Sequence, residues 1–595
     1  MSTNVRSLFE EGLKYYKAKN NFKAKECFLS VCKNAPDFWL AYEMLGHASF
    51  ATGDFLLAKN SFEEAIRRAG NGIGTELLVK YARVQIELRN FKSTEEICKY
   101  LVDQDPNLTD AWMVLGDCYK LQFKTNLAMD CFEHIFEQDP TNINNMVKLH
   151  RCYHDMCMWD DAKKLDDKLY SISSNLMQTG EAAPLTVYDA MKFIENGSFM
   201  RDLAENECKK FIDIMERSGV TFTQYHTEAK QVKKKGKIKL GFFSSCLSRH
   251  VTAYVLFNFF DLFDRDVVEI HIFPVNPDQT CTHYEKISGD CDYVHELISM
   301  TDQEMAEKIA STEMDVLIDL DGFVGNRRMG VLAQKPAPIQ IAWLGTPCTT
   351  GATWNDYALT DHVIAPAELE DHYTEMPLRM PNSYFFPNIQ GDEAKELGRD
   401  YWNIPEDKFV FCSFNNSWKI DEATFLAWCE ILRRAEDSVL WLMLENDETI
   451  ENVKQKLQDN GIDPNRLYIS GRVENTEHLS RFICSDLLLD SFICGAHTTC
   501  IEALGVGLPV LAKIGKPFYS RVSSSMLSAA DLESLITHTK EEYIERAVEI
   551  AKNPDTLAAL KTHLKENKDT LPLFDQKKWV KDFEDILVSV VKREK

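Results

Sequence analysis

The residues with the clearest chemical character sit at the ends of short apolar runs between Phe409 and Gly515. Asn415, Asn416 and Lys419 follow FVFCSF, His478 lies in NTEHLSRF, and His497, Thr498, Thr499 and Glu502 follow DLLLDSFICGA. Gly495 lets the chain turn, and Thr498 or Thr499 can cap the helix expected over CIEALGVG. The free N–H groups of that helix start face whatever lies above them. Hydroxyls with no acidic neighbour at a helix start favour an anion, most simply a phosphate. Lys419 offers a positive charge beside the anion, and Glu502, one turn in, offers a carboxylate to a ribose. Each feature has an ordinary structural use, such as a capped helix or a surface lysine. Their grouping is what points to a nucleotide.

Strands must position these residues. FVFCSF, SVLWLML, RLYISG, DLLLDSF and LPVLAKIG are continuous apolar runs, as expected of strands buried on both faces of a parallel sheet. Segments of helix length lie between several of them, so βαβ units follow, and ligands of such sheets bind beyond the carboxyl ends of the strands. A second alternating unit starts at Lys237, with strands expected in KIKLGFFSS, VVEIHIFPV, MDVLIDLDG and PIQIAWLG. Polar residues again collect at strand ends: Ser244, Ser245, His250, Tyr254, Asp319, Asp321, Asn326, Arg327, Thr349 and Thr350. Asp319-Leu320-Asp321 has the form of a metal-binding DxD. Aspartate after an apolar strand is common, however, and no His/Cys cluster is read at metal spacing, so no metal is expected. Two such units facing each other imply a cleft, with the nucleotide on the C-terminal half.

Upstream, the chain repeats with a period of about 34 residues. Gly12, Tyr15, Ala24, Phe28 and Pro36 recur as Gly116, Tyr119, Ala128, Phe132 and Pro140, with Gly46, Ala58, Phe62 and Ala65 between them. Ala82 to Pro106 is a degenerate copy, and Tyr153 with Ala162 mark a fifth. Small residues let paired helices approach and aromatics fill the gaps, which is the tetratricopeptide pattern. About five helix pairs should form a groove for a protein partner. A spacer or a contact between copies of the chain, giving a homo-oligomer, is the plainer use. The expected divisions are repeats over 1–170, a helical linker over 171–236, a first Rossmann-like domain over 237–392, and a nucleotide-binding domain with a terminal helix over 393–595. The lysine-rich end of the linker, Lys233 to Lys239, reads as a solvated connection before the first strand rather than as a nuclear signal.

The net charge of −25 argues against nucleic acid as the main partner. Seventeen cysteines without a CxxC pair fit reduced thiols rather than a disulfide framework. No signal peptide is readable at the start, and the longest nearly uncharged apolar run, VTAYVLFNFF, is too short to span a bilayer. A cytoplasmic location is expected, or a nucleocytoplasmic one in a eukaryote, with no membrane partner.

The stretches SSCLSRHVTAY, DLDGFVGNRRMGVLAQKPAPIQIAWLGTPCTTG, SFNNSWKI, ICGAHTTCIEALGVGLPVL and SRVSSSML resemble the tetratricopeptide-class protein O-glycosyltransferases. These are the O-linked N-acetylglucosamine transferases and the SPINDLY-type O-fucosyltransferases. The resemblance covers essentially the whole chain, although the large insert between the catalytic halves of the animal enzymes is missing. It implies an α-helical tetratricopeptide superhelix followed by an α/β GT-B region of two Rossmann-like domains, with no metal requirement. Residue by residue, His250 falls on a histidine close to sugar and acceptor, and Lys419 on the lysine contacting the diphosphate. His497, Thr498 and Thr499 fall on the phosphate-binding helix start, Glu502 on a ribose-binding acid, and His478 near the base. Tyr254, Thr349 and Thr350 fall on the acceptor and sugar side. Tyr254 and Asn416 match the fucosyl type, whereas His497 matches the N-acetylglucosamine type.

The implied reaction is inverting transfer of N-acetylglucosamine from UDP-N-acetylglucosamine to Ser or Thr of a protein. Lys419 and the helix start would stabilise charge on the leaving diphosphate. The acceptor proton would pass to His250, at its ordinary pKa near ~6.5, or to a donor phosphate oxygen. The competing readings are O-fucosyl transfer from GDP-fucose, transfer of another sugar or to Asn, and a tetratricopeptide scaffold without activity. Retention of Lys419, His250 and His497-Thr498-Thr499 speaks against the scaffold.

Overall fold

The computed structural model describes residues 3–70, 73–217, 220–226, 236–388 and 394–593. Lys233, Lys234 and Lys235 of the lysine-rich connection lie outside the described residues. The chain divides into two compact units. One comprises Met1–Met156, Asp161–Leu169 and Lys209–Thr221; the other comprises Cys157–Asp160, Tyr170–Cys208 and Phe222–Lys595.

The first unit is built from helix pairs. They are α1 (Thr3–Lys17) with α2 (Asn21–Asn34), α3 (Trp39–Ala51) with α4 (Phe55–Ala69), α5 (Thr75–Glu87) with α6 (Phe91–Gln104), α7 (Thr109–Leu121) with α8 (Thr125–Gln138), and α9 (Ile143–Asp155) with α10 (Trp159–Gln178). The glycine and phenylalanine positions of the repeat prove to be one contact. A Cβ on Gly12 would lie 2.7 Å from the ring of Phe28, one on Gly46 2.6 Å from Phe62, and one on Gly116 2.4 Å from Phe132. All three rings are buried. The turn inside each pair takes a left-handed residue at Lys19, Gly53, Arg89, Phe123 and Cys157. Glycine adopts that conformation freely and the other four residues pay a small strain for it.

The last pair departs from this plan. Thirty-four positions beyond Gly116 and Phe132 stand His150 and Asp166. His150 and His154 both approach the Asp166 carboxylate, at 2.7 and 2.9 Å. The expectation that no histidine cluster has metal spacing is therefore corrected. The pair His150/His154 is visible in the sequence, but its third member comes from the neighbouring helix.

The second unit holds two all-parallel sheets. The first contains β1 (Ile238–Ser244), β2 (Val268–Pro274), β3 (Tyr293–Val294), β4 (Val316–Asp319), β5 (Ile339–Ala342), β6 (Tyr357–Asp361) and β7 (Met376–Met380), in the order β3-β2-β1-β4-β5-β6-β7. The second contains β8 (Phe409–Ser413), β9 (Ser438–Met443), β10 (Leu467–Ser470), β11 (Leu487–Leu489), β12 (Val510–Lys513) and β13 (Ile536–Thr537), in the order β10-β9-β8-β11-β12-β13. Both orders reverse beside the first strand of their sheet, where doubly wound sheets open a crevice. Every expected strand forms, and β3, β6, β7 and β13 add to them. The terminal helix Gln576–Arg593 crosses back onto the first half. Trp579 Nε1 donates to the Ser383 carbonyl at 2.9 Å, and Glu584 accepts from the Asp264 N–H at 2.7 Å. Among the described residues no helix is long and apolar enough to cross a membrane.

Gly116→Val should lower the stability of the repeat unit by about 1–3 kcal/mol, because the buried Phe132 ring has nowhere to move. Gly74→Ser, where an added Cβ meets nothing within 4 Å, should be neutral or slightly stabilising. Denaturant unfolding followed by circular dichroism measures both.

Candidate active site

The loop that follows β11 is shaped by one buried carboxylate. Asp490 Oδ1 accepts from the N–H of Ser491 at 2.8 Å and of Ala496 at 2.6 Å. The side chain of Asn415, just past β8, reaches the same oxygen at 3.5 Å. A Cβ on Gly495 would lie 2.8 Å from Asp490 Oδ2, so only glycine fits without displacement. Burial raises the Asp490 pKa, and Ser523, the Ala496 N–H and Lys419 oppose that rise.

Lys419 lies in the short turn Ser417–Lys419, and its Nζ donates to the Gly495 carbonyl at 2.7 Å. The helix Thr498–Gly505 begins directly afterwards, with His497 as its N-cap and no side-chain cap. This corrects the expectation that Thr498 or Thr499 caps the helix: they are its first two residues. The Cys500 N–H turns back to the His497 carbonyl at 2.9 Å, and the N–H groups of Thr498 and Thr499 are left to water or a ligand. His497 Nε2 faces the Tyr519 carbonyl at 3.4 Å. Burial and, secondly, Lys419 hold its pKa well below the ordinary imidazole range, so the ring is neutral.

Further along the same helix, Glu502 is buried and faces His478 Nε2 at 3.5 Å. Arg481 donates to His478 Nδ1, which leaves the neutral ring's proton on Nε2, toward Glu502. Arg481 is itself buried, with Nη1 bonded to Ser470 Oγ at 2.8 Å and its guanidinium 4.7 Å from the Phe414 ring centre. Burial lowers its pKa to about 10. Arg481, His478 and Glu502 therefore form a fixed row across the edge of the site.

The first half contributes His250, the N-cap of the helix Val251–Val255. Its Nδ1 accepts from the Thr252 N–H at 3.1 Å. The backbone can only donate, so the neutral ring carries its proton on Nε2. Burial lowers the His250 pKa, partly offset by Asp321. Tyr254, one turn on, receives a hydrogen bond on its hydroxyl from Asn475 of the second half at 3.3 Å. A cleft of about 430 Å³ opens here, lined by His250, Tyr254, His283, Asn475, Thr498 and Glu502 among others. All of these residues follow the carboxyl ends of strands.

The structure thus gathers His250, Tyr254, Thr498 and Glu502 around one cleft. His478 touches Glu502, while Lys419 and His497 are held on the loop that launches the helix. Asn416 is exposed, with no capping bond. Thr349 and Thr350 are both buried, and both hydroxyls bind the Glu375 carboxylate. Asp490, His283 and Asn475 escaped the sequence analysis. Asp490 looked like an ordinary strand end, and His283 and Asn475 stand alone in helical segments.

Each carboxylate oxygen of the DxD pair already accepts a hydrogen bond. Asp321 accepts from Ser244 Oγ at 2.5 Å and from Ser245 N and Oγ at 2.8 and 2.7 Å. Asp319 accepts from the N–H of Asp321 and Gly322 and from Asn355. Burial, and secondly Asp321, push the Asp319 pKa up to about 6.

Comparison with known proteins adds three findings. Residues 156–395 and 392–583 match the family model of Glycosyl transferase family 41, and residues 41–71 and 109–142 match the Tetratricopeptide repeat. The chain is 27% identical over 440 residues to an Arabidopsis thaliana protein named "Probable UDP-N-acetylglucosamine--peptide N-acetylglucosaminyltransferase SEC", covering 72% of this chain and 45% of the relative. It is 24% identical over 481 residues to the Caenorhabditis elegans UDP-N-acetylglucosamine--peptide N-acetylglucosaminyltransferase, covering 62% of this chain and 42% of the relative. The matches thus span less than half the length of these relatives. The solved structure of an O-GlcNAc transferase mutant from Thermobaculum terrenum shares the fold, with a TM-score of 0.64 at 21% identity, covering 100% of this chain and 99% of that one.

Asp490→Ala should cost about 2–4 kcal/mol in the second unit, because two buried N–H groups lose their acceptor. Asp490→Asn keeps an acceptor at Oδ1 and should cost less than half as much. Thermal unfolding of the full chain compares them; equal losses would mean that Asp490 does not organise the loop.

Proposed function

The chain belongs to glycosyl transferase family 41, and we propose that it is a protein O-glycosyltransferase transferring N-acetylglucosamine from UDP-N-acetylglucosamine to Ser or Thr hydroxyls. The observation that carries this reading is the meeting of His250 and Tyr254 from one half with Thr498 and Glu502 from the other in a single cleft. The names of the Arabidopsis and Caenorhabditis relatives support the donor and the peptide acceptor. The tetratricopeptide unit supplies the surface for the protein partner.

In the reaction the acceptor oxygen forms a bond to the anomeric carbon as the bond from that carbon to the diphosphate breaks. Negative charge grows on the leaving diphosphate, where Lys419 and the uncapped helix start at Thr498 stabilise it. Glu502, oriented by His478, accepts from ribose hydroxyls. His250 has its Nδ1 lone pair committed to Thr252 and so offers the cleft an Nε2–H donor rather than a base. The acceptor proton then leaves on a phosphate oxygen of the departing nucleotide. This favours the second of the two proton routes that the sequence left open.

His250→Gln retains an N–H donor and should keep transfer within about tenfold of wild type, whereas His250→Ala should lose about 10²–10³ in kcat. A general base would lose about 10²–10⁴ in both variants. The lowered pKa fixes the pH window: the imidazolium forms only below the usual ~6.5, and protonating Nδ1 breaks the bond from the Thr252 N–H that positions the ring, so the rate should stay level above pH ~7 and fall on acidification. A rate that rose with pH through ~6.5–8 and lost its inflection in His250→Gln would restore the base role.

Calorimetry with UDP and GDP tests the donor. UDP should bind at least about tenfold tighter, ~1.4 kcal/mol; the opposite preference would favour GDP-fucose. EDTA or manganese should alter UDP affinity by less than about twofold, ~0.4 kcal/mol. Affinity lost in EDTA and restored by manganese would return Asp319 and Asp321 as ligands.

A further inference from the structure

His150, His154 and Asp166 lie outside the cleft and play no part in the transfer derived above. His150 and His154 stand one turn apart on α9, so their rings leave the same face of the helix. Asp166, on the neighbouring α10, puts one carboxylate oxygen 2.7 Å from His150 Nε2 and 2.9 Å from His154 Nε2. The three ligand atoms lie within 4.8 Å of one another. The His150 ring is fully buried, and His154 is 6% and Asp166 16% exposed.

The place of this cluster in the repeat is a second, independent observation. Gly116 and Phe132 form the close glycine–ring contact of the fourth pair, and the same positions one repeat later hold His150 and Asp166. Gly12 with Phe28 and Gly46 with Phe62 make the same contact earlier. Positions that form a glycine–ring contact in three of the other pairs, and hold the small buried Ala82 and Cys98 in the third pair, are here given to an imidazole and a carboxylate. Burying such groups is unfavourable unless something binds them together.

We propose that His150 Nε2, His154 Nε2 and the Asp166 carboxylate form a binding site for a divalent transition metal, zinc above all, that clamps α9 to α10. Two imidazoles and one carboxylate suit zinc, whereas calcium and magnesium take oxygen ligands. Zinc bonds of about 2.0–2.2 Å in a tetrahedron set neighbouring ligand atoms roughly 3.3 Å apart. Reaching that spacing moves the Asp166 oxygen about half an ångström away from each imidazole, and the two imidazole nitrogens, within 4.8 Å of each other, adjust to it by side-chain rotation. Water completes the fourth position. Each Nε2 that donates to Asp166 gives up its proton to the metal bond; a neutral ring carries its proton on Nδ1 instead, and a doubly protonated ring releases one to solvent. Zinc affinity therefore falls as pH drops.

The test uses the full chain, stripped with a chelator and titrated with zinc by calorimetry, with the metal counted by mass spectrometry. One equivalent should bind and raise the thermal midpoint. The double variant His154→Gln/Asp166→Asn should bind more than about 100-fold more weakly or not at all, a loss beyond the roughly 10–100-fold range of outer-shell changes. Cobalt(II) should give the visible spectrum of a tetrahedral nitrogen and oxygen site without a thiolate charge-transfer band, a readout on the wild type that stands even if the variant fails to fold. No binding by the wild type, unchanged binding by the variant, or a thiolate band would overturn the site and leave a hydrogen-bonded His–Asp–His cluster. UDP affinity should not change with zinc, which keeps this result separate from the transfer reading.

Discussion

A carboxylate buried without a counter-ion is costly unless donors surround it, and that constraint shapes the second parallel-sheet half of the molecule. Asp490 emerges from β11 into the interior, and its oxygens can be satisfied only if the chain folds back over them. Ser491 and Ala496 supply backbone N–H groups, and Asn415 supplies its amide from the neighbouring strand end. The resulting tight loop admits no side chain at 495, presents the Gly495 carbonyl to Lys419, and aims the helix from Thr498 outward. Lys419, the helix start and Glu502 take their positions from this loop.

The same device joins the two halves around the cleft. Asp361, at the end of β6, is buried and accepts from the N–H groups of Val363, Ile364 and Tyr384 and from Ser525 Oγ of the second half. Ser383 and Ser525 share a hydrogen bond at 2.8 Å, and Arg521 Nε donates to the Val363 carbonyl at 2.6 Å. The terminal helix adds an apolar seam, with Trp579 stacked on Trp343 at 5.2 Å and set against Phe386. Polar bonds fix the register of the halves, while the aromatic burial supplies most of the free energy.

In the repeats, packing rather than hydrogen bonding sets the plan. The Gly–Phe contact brings paired helices close, and a mismatch would be felt at once in so dense a core. The fifth pair keeps the helices but exchanges that apolar contact for His150 and Asp166. The backbone plan of the repeat therefore tolerates a change of core chemistry, provided the new groups satisfy one another.

Much of this was legible in the sequence because it rests on periodicity. The 34-residue spacing of Gly and Phe announces helix pairs, and continuous apolar runs such as FVFCSF and SVLWLML announce buried parallel strands. Lys419, His497, Thr498 and Glu502 were legible as a group because each closely follows a strand or opens a helix. β7 (MPLRM) and β13 (IT) were not, since a proline, an arginine or a length of two residues gives no periodic signal and only neighbouring strands make them pair. Thr349 and Thr350 looked like site residues, yet Glu375, 25 and 26 positions away, claims their hydroxyls. The partner of His150 and His154 and the reach of Asn415 to Asp490 were decided only by the tertiary structure, while the proton on His250 Nε2 follows from the local helix cap once that cap is known. The sequence lists donors and acceptors along a line; which of them meet depends on contacts between residues far apart on it.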